Sequence, residues 1–300
     1  MTGSQAGEAN PEASEKRLGE RLADLAQLLG PTTLLTALLY YYGYVSLKAY
    51  YAYFGITLTV VDPSPADYIV RSPDTLFRPV ATLMGVLVIA YLAHRAFAAW
   101  CLRLSTIWLR RIVVLLLCAT VVLAVIGASG LYADPRGLLS PLSLTAAALV
   151  LEYTFWVLLT FSNPTATVRD LLQGGVLLRR GLVVAVVIVG AFWTVSLLAQ
   201  DRGRSNAELT EASLPIQPQA IVYSTVALEL NGPGVTEVRL GSERGSFTYA
   251  YTGLHTLLFA NDRWFLLPHE WEHGSGATVF ILRDDSSEIR IDVGPVRILR

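Results

Sequence analysis

Charged residues are scarce in this chain, making up 16% of its 300 residues, whereas hydrophobic residues make up 53%. Soluble domains carry about a quarter charged residues, so this composition indicates a protein that lies largely in lipid. The formal net charge is −1. The strong basic balance of nucleic-acid-binding proteins is missing, so no nucleic-acid partner is expected.

Cysteine and short catalytic motifs are equally scarce. The two cysteines, Cys101 and Cys118, lie in or beside apolar segments, so the last hundred residues contain no disulfide framework. There is no C-x-x-C pair, phosphate-binding loop or nucleophile elbow. The sequence therefore predicts no cofactor and assigns no catalytic residue, and a non-enzymatic role is favoured.

Long apolar segments are present instead. A membrane-spanning helix needs roughly 20 mostly apolar residues. Five segments meet this requirement, at residues 25–48, 77–100, 112–133, 140–162 and 181–200. The sequence predicts an all-α membrane bundle of five transmembrane helices over residues 25–200, preceded by a polar tail and amphipathic segment at residues 1–24.

Basic residues are concentrated in alternate connections between these spans. They lie in the N-terminal tail and in the loops between spans two and three and between spans four and five: Lys16, Arg17, Arg21, Arg95, Arg103, Arg110, Arg111, Arg169, Arg179 and Arg180. Positive charge favours the cytoplasmic side. We expect a multi-pass protein of the cell membrane with a cytoplasmic N-terminus and an extracytoplasmic C-terminus.

Aromatic residues cluster where the first predicted span ends. Tyr50, Tyr51 and Tyr53 follow Lys48 in this stretch. Rings with a polar tip settle at the headgroup level of a bilayer, and a lysine can extend its amine to the same level. These four residues are predicted to be membrane-interface anchors.

The composition changes after Gln200. Residues 201–218 are polar and contain two prolines, which indicates a linker. Residues 219–300 contain short β-rich runs separated by turn signals such as Asn261-Asp262, which predicts a small C-terminal all-β domain, a sandwich or a barrel. A domain this small is marginally stable alone, so it is expected to pack on the membrane domain or on a second copy.

Three segments resemble multi-pass membrane proteins of actinobacteria to which no activity is attached. They are YGYVSLKAYYAYFGI (Tyr42–Ile56), DYIVRS (Asp67–Ser72) and YTGLHTLLFANDRWFLLP (Tyr251–Pro268). The resemblance is one of general pattern across most of the chain and implies no functional residues.

One segment fits the H-E-x-x-H pattern of zinc proteases: His269-Glu270-Trp271-Glu272-His273. In that pattern two histidines on one helix face bind zinc, and the glutamate is the general base. Pro268 precedes the segment and a glycine-rich stretch follows it, which leaves little room for a helix. His269, His273 and Glu270 are therefore only a weak metal candidate, and an exposed loop between strands is favoured.

Glu152 is the polar residue of greatest interest in the apolar segments. It lies near the middle of the fourth predicted span, where an ionised carboxylate is costly and normally faces other helices. It could be a proton or cation site, or it could join helices through a hydrogen bond to a tyrosine, threonine or serine of another span.

Two main classes of function follow from these observations. The first is a sensor, binding or scaffold protein of the cell envelope that displays an extracytoplasmic β-domain to a protein partner or a second copy. The alternative is an ion or small-solute transporter or channel that uses Glu152. A membrane metalloprotease built on the H-E-x-x-H match is the third and weakest class.

Overall fold

The computed structural model of the protein describes residues 11–70, 73–132, 137–161, 175–241, 247–284 and 288–294. Seven helices are found in these residues: α1 (Pro11–Tyr53), α2 (Leu58–Val61), α3 (Pro65–Val70), α4 (Pro73–Cys101), α5 (Thr106–Tyr132), α6 (Leu139–Phe161) and α7 (Val176–Ser213). The predicted amphipathic segment and first span belong to one helix, α1, while residues 1–10 of the predicted polar tail lie outside the described residues.

Within the described residues, four helices are long and apolar enough to cross a membrane, and they agree with four of the five predicted spans. The qualifying segments are Met84–Cys101 in α4, all of α5, all of α6, and the segment Val176–Ile216 that contains α7. The first predicted span is helical, but α1 is not among the four. Only 6% to 17% of the residues in their most apolar windows are buried, so these helices expose apolar side chains along most of their length.

Small residues set the packing of α5, α6 and α7. A Cβ atom on Gly127 of α5 would lie 2.8 Å from the backbone nitrogen of Leu144 on α6, and one on Gly190 of α7 would lie 2.0 Å from Oγ1 of Thr145. Such close approach of backbones is typical of helices packed in lipid. The contacts make α5 and α6, and then α6 and α7, antiparallel.

The helices α1 and α7 run parallel to each other over a long distance. Tyr41 contacts Phe192 with ring centroids 5.3 Å apart, and further along a Cβ atom on Gly203 would lie 2.3 Å from the carbonyl oxygen of Ser46. The helix α7 continues without a break to Ser213. Most of the predicted linker at residues 201–218 is therefore helix, because its polar residues extend an existing helix beside α1.

The C-terminal part is one antiparallel sheet of six strands: β1 (Gln219–Ser224), β2 (Thr236–Arg239), β3 (Tyr249–Ala260), β4 (Arg263–Pro268), β5 (Phe280–Arg283) and β6 (Ile289–Gly294). Five strands lie in the order β5-β4-β3-β1-β6, and β2 also pairs with β3. The predicted all-β character is correct. The described strands nevertheless form an open sheet rather than a sandwich or barrel, because the two end strands do not pair with each other.

The strand β3 organises this sheet. Its first half pairs with β2 and its second half with β4, with Gly253 between the two halves, while β1 pairs along the opposite edge. Gly253 has φ +80°, and a Cβ atom there would lie 1.9 Å from the carbonyl oxygen of Gly234. Only glycine fits at this point, because the loop before β2 crosses directly against the strand.

The two faces of the sheet are covered differently. One face packs a cluster that includes Val222, Tyr251 and Leu254, and the Tyr251 hydroxyl oxygen accepts a hydrogen bond from the backbone N–H of Leu228 at 2.8 Å. The other face packs against the ends of α1 and α7 and against α2 and α3. The sheet is therefore joined to the helices by a shared hydrophobic core as well as by the chain connection.

Candidate functional site

The contact between the helices and the sheet contains the largest cluster of buried hydrophobic residues in the described part of the chain. We call it the dock. It consists of residues from the end of α1, the end of α7, strand β4 and the loop after β4: Tyr50, Tyr51, Tyr53, Phe54, Glu211, Phe265, Leu267, Trp271 and His273.

Trp271 is the central side chain of the dock. It is 5% exposed, and its ring centroid lies 5.0 Å from that of Phe54. Its indole N–H donates to the carbonyl oxygen of Ala277 at 3.0 Å, which satisfies the one polar group of the ring. Phe265 and Leu267 point to the same side of β4 because alternate residues of a strand share a face, and both are fully buried. Large apolar side chains therefore hold the sheet on the helices.

A polar clamp closes one side of the dock. The Tyr53 hydroxyl donates to one oxygen of the Glu211 carboxylate, and the backbone N–H of His273 donates to the other oxygen at 2.9 Å. The rings of His273 and Tyr53 are stacked with centroids 4.0 Å apart, and Nδ1 of His273 lies 3.0 Å from the carbonyl oxygen of Tyr53. Burial, followed by the hydrogen bond to Glu211, raises the pKa of Tyr53 to about 12. Three distant segments thus meet around one carboxylate.

A pair of histidines lies between the start of β1 and the loop after β4. His255 is fully buried; its Nδ1 lies 3.3 Å from the carbonyl oxygen of Pro218, and its Nε2 lies 2.7 Å from Nδ1 of His269. A carbonyl can only accept, so Nδ1 of His255 carries the proton and its Nε2 accepts from His269. Burial is the main cause that lowers the pKa of His255. The neutral form of His255 therefore connects the start of β1 to the loop after β4.

The H-E-x-x-H segment has no zinc-protease geometry in the structure. Residues 269–273 form turns and irregular backbone, and the two histidines are held by different partners: His269 by His255, and His273 by Tyr53. Glu270 is exposed at the surface. Among the described residues, no group of three or more His, Cys, Asp or Glu side chains could hold a metal ion. Of the two histidines in the segment, His269 is therefore part of the histidine pair and His273 is part of the dock.

Glu152 is paired with arginine. Its carboxylate accepts from Nε of Arg179 at 2.7 Å and from a terminal nitrogen of the same guanidinium at 3.2 Å, and Nε of Arg180 lies 3.7 Å away. One of the two interpretations of Glu152 was a link to a tyrosine, threonine or serine of another span. The partner found is an arginine of α7, because the first turn of α7 lies level with Glu152 on the antiparallel helix α6. A two-point arginine–carboxylate pair fixes the geometry of both groups.

The predicted membrane anchors are placed differently from one another. Lys48 is exposed, whereas Tyr51 is 4% exposed and Tyr50 and Tyr53 are partly buried against α7 and the sheet. Tyr50 lies 3.2 Å from the Thr210 hydroxyl. Tyr51 is buried and the other two tyrosines are partly covered, because α7 extends beyond Gln200 beside them.

Sequence reasoning missed the role of Trp271 and of the extension of α7. The repeated small residues Gly203 and Ala207, four positions apart in a polar stretch, were the available signal for a packed helix. The pairing of Glu211 with Tyr53 had no local signal, because it joins residues 158 positions apart.

Known proteins add no further assignment to this site, since no family model, no curated protein and no solved structure matches the chain.

Proposed function

We propose that this protein is a multi-pass membrane sensor or scaffold of the cell envelope, in which the β-sheet domain binds a protein partner and is mechanically coupled to α1 and α7. The single observation that carries the proposal is the dock. A flexible linker would be enough to attach a β-domain to the membrane. This domain instead shares a buried core with two long helices, so movement of the sheet would be transmitted to them.

The same parallel packing supports α1 as a fifth membrane span. Tyr41 contacts Phe192, and Tyr42 and Val45 pack with Ala199, so the second half of the predicted first span lies beside the apolar part of α7. A helix that packs side by side with a membrane-spanning helix lies at the same depth in the bilayer. Five crossings also put the dock at one end of the bundle and Arg110, Arg111, Arg179 and Arg180 at the other, since α5 and α7 both begin at that end.

The charge distribution supports an extracytoplasmic sheet. Arginine near helix ends favours the cytoplasmic side, and the arginine-rich end lies opposite the dock. The sheet would then face the envelope, where the open edge of β5 offers backbone groups to a partner strand. Ile281 on that edge is 44% exposed.

The transport and protease alternatives gain no support from the geometry. The Glu152 carboxylate is bound at two points by Arg179, which is the arrangement of a link between helices rather than of a site that takes up and releases ions. The histidines of the H-E-x-x-H match each have a separate partner.

Topology is the first test. One reporter active only outside the cytoplasm and one active only inside are fused after Arg300 in parallel. The proposal predicts the outside signal. An inside signal would mean an even number of crossings and would overturn the envelope-facing sensor.

Partner binding is the second test, made in cells with the intact chain because the isolated sheet would expose Phe265, Leu267 and Trp271. A photo-crosslinking residue replaces Ile281 on β5, and the control replaces Leu209, which is 65% exposed on α7. We expect a specific product at position 281 that disappears when Arg283→Glu changes the charge of the same edge. Equal capture at both positions would count against partner binding by the sheet.

A further inference from the structure

A groove between α6 and α7 combines an apolar floor with one incompletely neutralised arginine. It has a volume of about 440 Å³ and is lined by Leu149, Glu152, Tyr153, Trp156, Arg180, Val183 and Val184. Glu152 and Tyr153 both lie three or four positions from Leu149 and from Trp156, so the four α6 residues share one helix face. Leu149 and Val184 are 52% and 56% exposed, so the groove opens to the surroundings of the bundle.

The two arginines beside Glu152 are bound unequally. Both guanidinium groups lie near the Glu152 carboxylate, but Arg179 approaches it to 2.7 Å and Arg180 only to 3.7 Å. Arg179 uses both of its paired hydrogen bonds on Glu152, whereas Arg180 only reaches 3.7 Å and its side chain is 71% exposed. Arg180 therefore retains hydrogen-bond donors that point to an anion from outside the chain.

The position of these groups matches the layers of a bilayer. Arg180 immediately precedes the apolar run of α7, while Leu149, Val183 and Val184 lie further toward the middle of the helices. Tyr153 and Trp156 form the wall on the headgroup side, where such rings are favoured. His94 of α4 holds that wall, since its ring contacts Trp156 at 4.7 Å and its Nδ1 lies 3.2 Å from the Tyr153 hydroxyl.

We propose that this groove is a binding site for one anionic phospholipid, with the phosphate at the Arg180 guanidinium and an acyl chain along Leu149, Val183 and Val184. Charge selects an anionic over a zwitterionic headgroup, and the apolar floor selects a lipid over a soluble anion. Arg179 and Glu152 position the site without contacting the lipid.

The test uses native mass spectrometry of the full chain released from micelles that contain equal amounts of phosphatidylglycerol and phosphatidylcholine with the same acyl chains. We expect a single-lipid adduct that favours phosphatidylglycerol, and Arg180→Gln should weaken that adduct about fivefold, the effect of one interfacial arginine. The matched control is Arg111→Gln, which removes an exposed arginine over Trp108 at the same end of the bundle.

Equal losses in Arg180→Gln and Arg111→Gln would show attraction to general surface charge and would overturn the site. Leu149→Trp fills the groove without changing charge and should remove the adduct; an adduct that persists would overturn the acyl-chain position. A stable dimer of the intact chain that Leu149→Trp dissociates would show that a second copy occupies the groove, which also overturns the proposal. Unchanged melting temperatures of the variants show that each remains folded.

Discussion

The dock and the apolar helices are held together in different ways. In the dock, large side chains such as Trp271 and Phe265 are buried almost completely. In the four apolar helices few residues are buried, and Gly127, Gly130 and Gly190 lie so close to the neighbouring helix that a Cβ atom on any of them would clash. Water drives apolar surface together, whereas lipid does not, so helices in lipid gain mainly from close backbone packing and polar links. The comparison teaches that the dock is packed by large buried side chains and the apolar helices by small residues, which is the difference expected if the helices of the proposed membrane bundle lie in lipid.

The largest expected effect tests the dock. Trp271→Ala removes its central side chain and should lower the free energy of unfolding by about 4 kcal/mol, the usual cost of truncating a buried tryptophan. Thermal unfolding in detergent, followed by near-ultraviolet circular dichroism, measures it. Trp100→Ala is the control, because Trp100 is 52% exposed on α4. Similar losses for both variants would remove the distinction between the dock and the apolar surface.

The second prediction concerns packing by small residues. Gly127→Ala places a Cβ atom 2.8 Å from Leu144 and should destabilise the protein by about 2 kcal/mol, the cost of overpacking. Gly85→Ala on α4 meets nothing within 4 Å, so it should stabilise by up to about 1 kcal/mol through helix propensity. Melting temperatures in one detergent compare the two. Shifts of the same sign would contradict the packing argument.

The third prediction concerns the polar link between α6 and α7. Glu152→Gln leaves Arg179 without its charged partner in a largely apolar setting and should cost about 2 kcal/mol, less than for a fully buried pair. Glu208→Gln is the matched control: Glu208 forms an exposed pair with Arg204, which is worth less than about 1 kcal/mol. Chemical or thermal unfolding measures both. A neutral Glu152→Gln would show that the pair is dispensable for stability.

The smallest effect is the pH dependence of the histidine pair. The pKa of His255 is lowered in the folded state from its usual 6.5, so folding favours the neutral ring. This contribution is fully present above pH 6.5 and is lost as the pH falls from there through the lowered pKa, by at most about 1.4 kcal/mol per pH unit for one proton.

Melting temperatures between pH 7.5 and pH 5 test this dependence. In His255→Gln, position 255 no longer titrates, so the acid-side loss of stability should be reduced. The control is His273→Gln, because His273 is exposed. If the melting temperatures of the wild type and of His255→Gln fell in parallel with pH, the acid sensitivity would come from other groups.

Parts of the fold could be predicted because their causes are local. Four of the predicted spans are apolar helices, since length and composition decide this. Asn261 and Asp262 form the predicted turn between β3 and β4 with φ values of 50° and 54°, because these residues tolerate the left-handed backbone that a tight hairpin needs. By contrast, the sheet is open and not the predicted sandwich or barrel. Helices cover one of its faces, and no local sequence pattern indicates this packing.

The candidate site was predicted less well, for a physical reason. Glu152 was singled out from the cost of a charge among apolar residues, but its partner Arg179 depends on the position of α7 along α6, which no local pattern gives. The H-E-x-x-H letters gave only a weak metal candidate, and residues 269–273 form turns and irregular backbone, in agreement with the favoured loop. Their actual partners, His255 and Tyr53, come from other elements.

Composition and periodicity by themselves determined where the apolar helices and the strands lie, because solvent preference and backbone propensity act residue by residue. Only the tertiary structure decided that polar residues 201–213 extend α7, that Tyr53, Glu211 and His273 meet, and that the largely exposed Arg180 lies beside an apolar groove. Each of these depends on contacts between residues far apart in the chain, whose relative positions are set by helix direction and register.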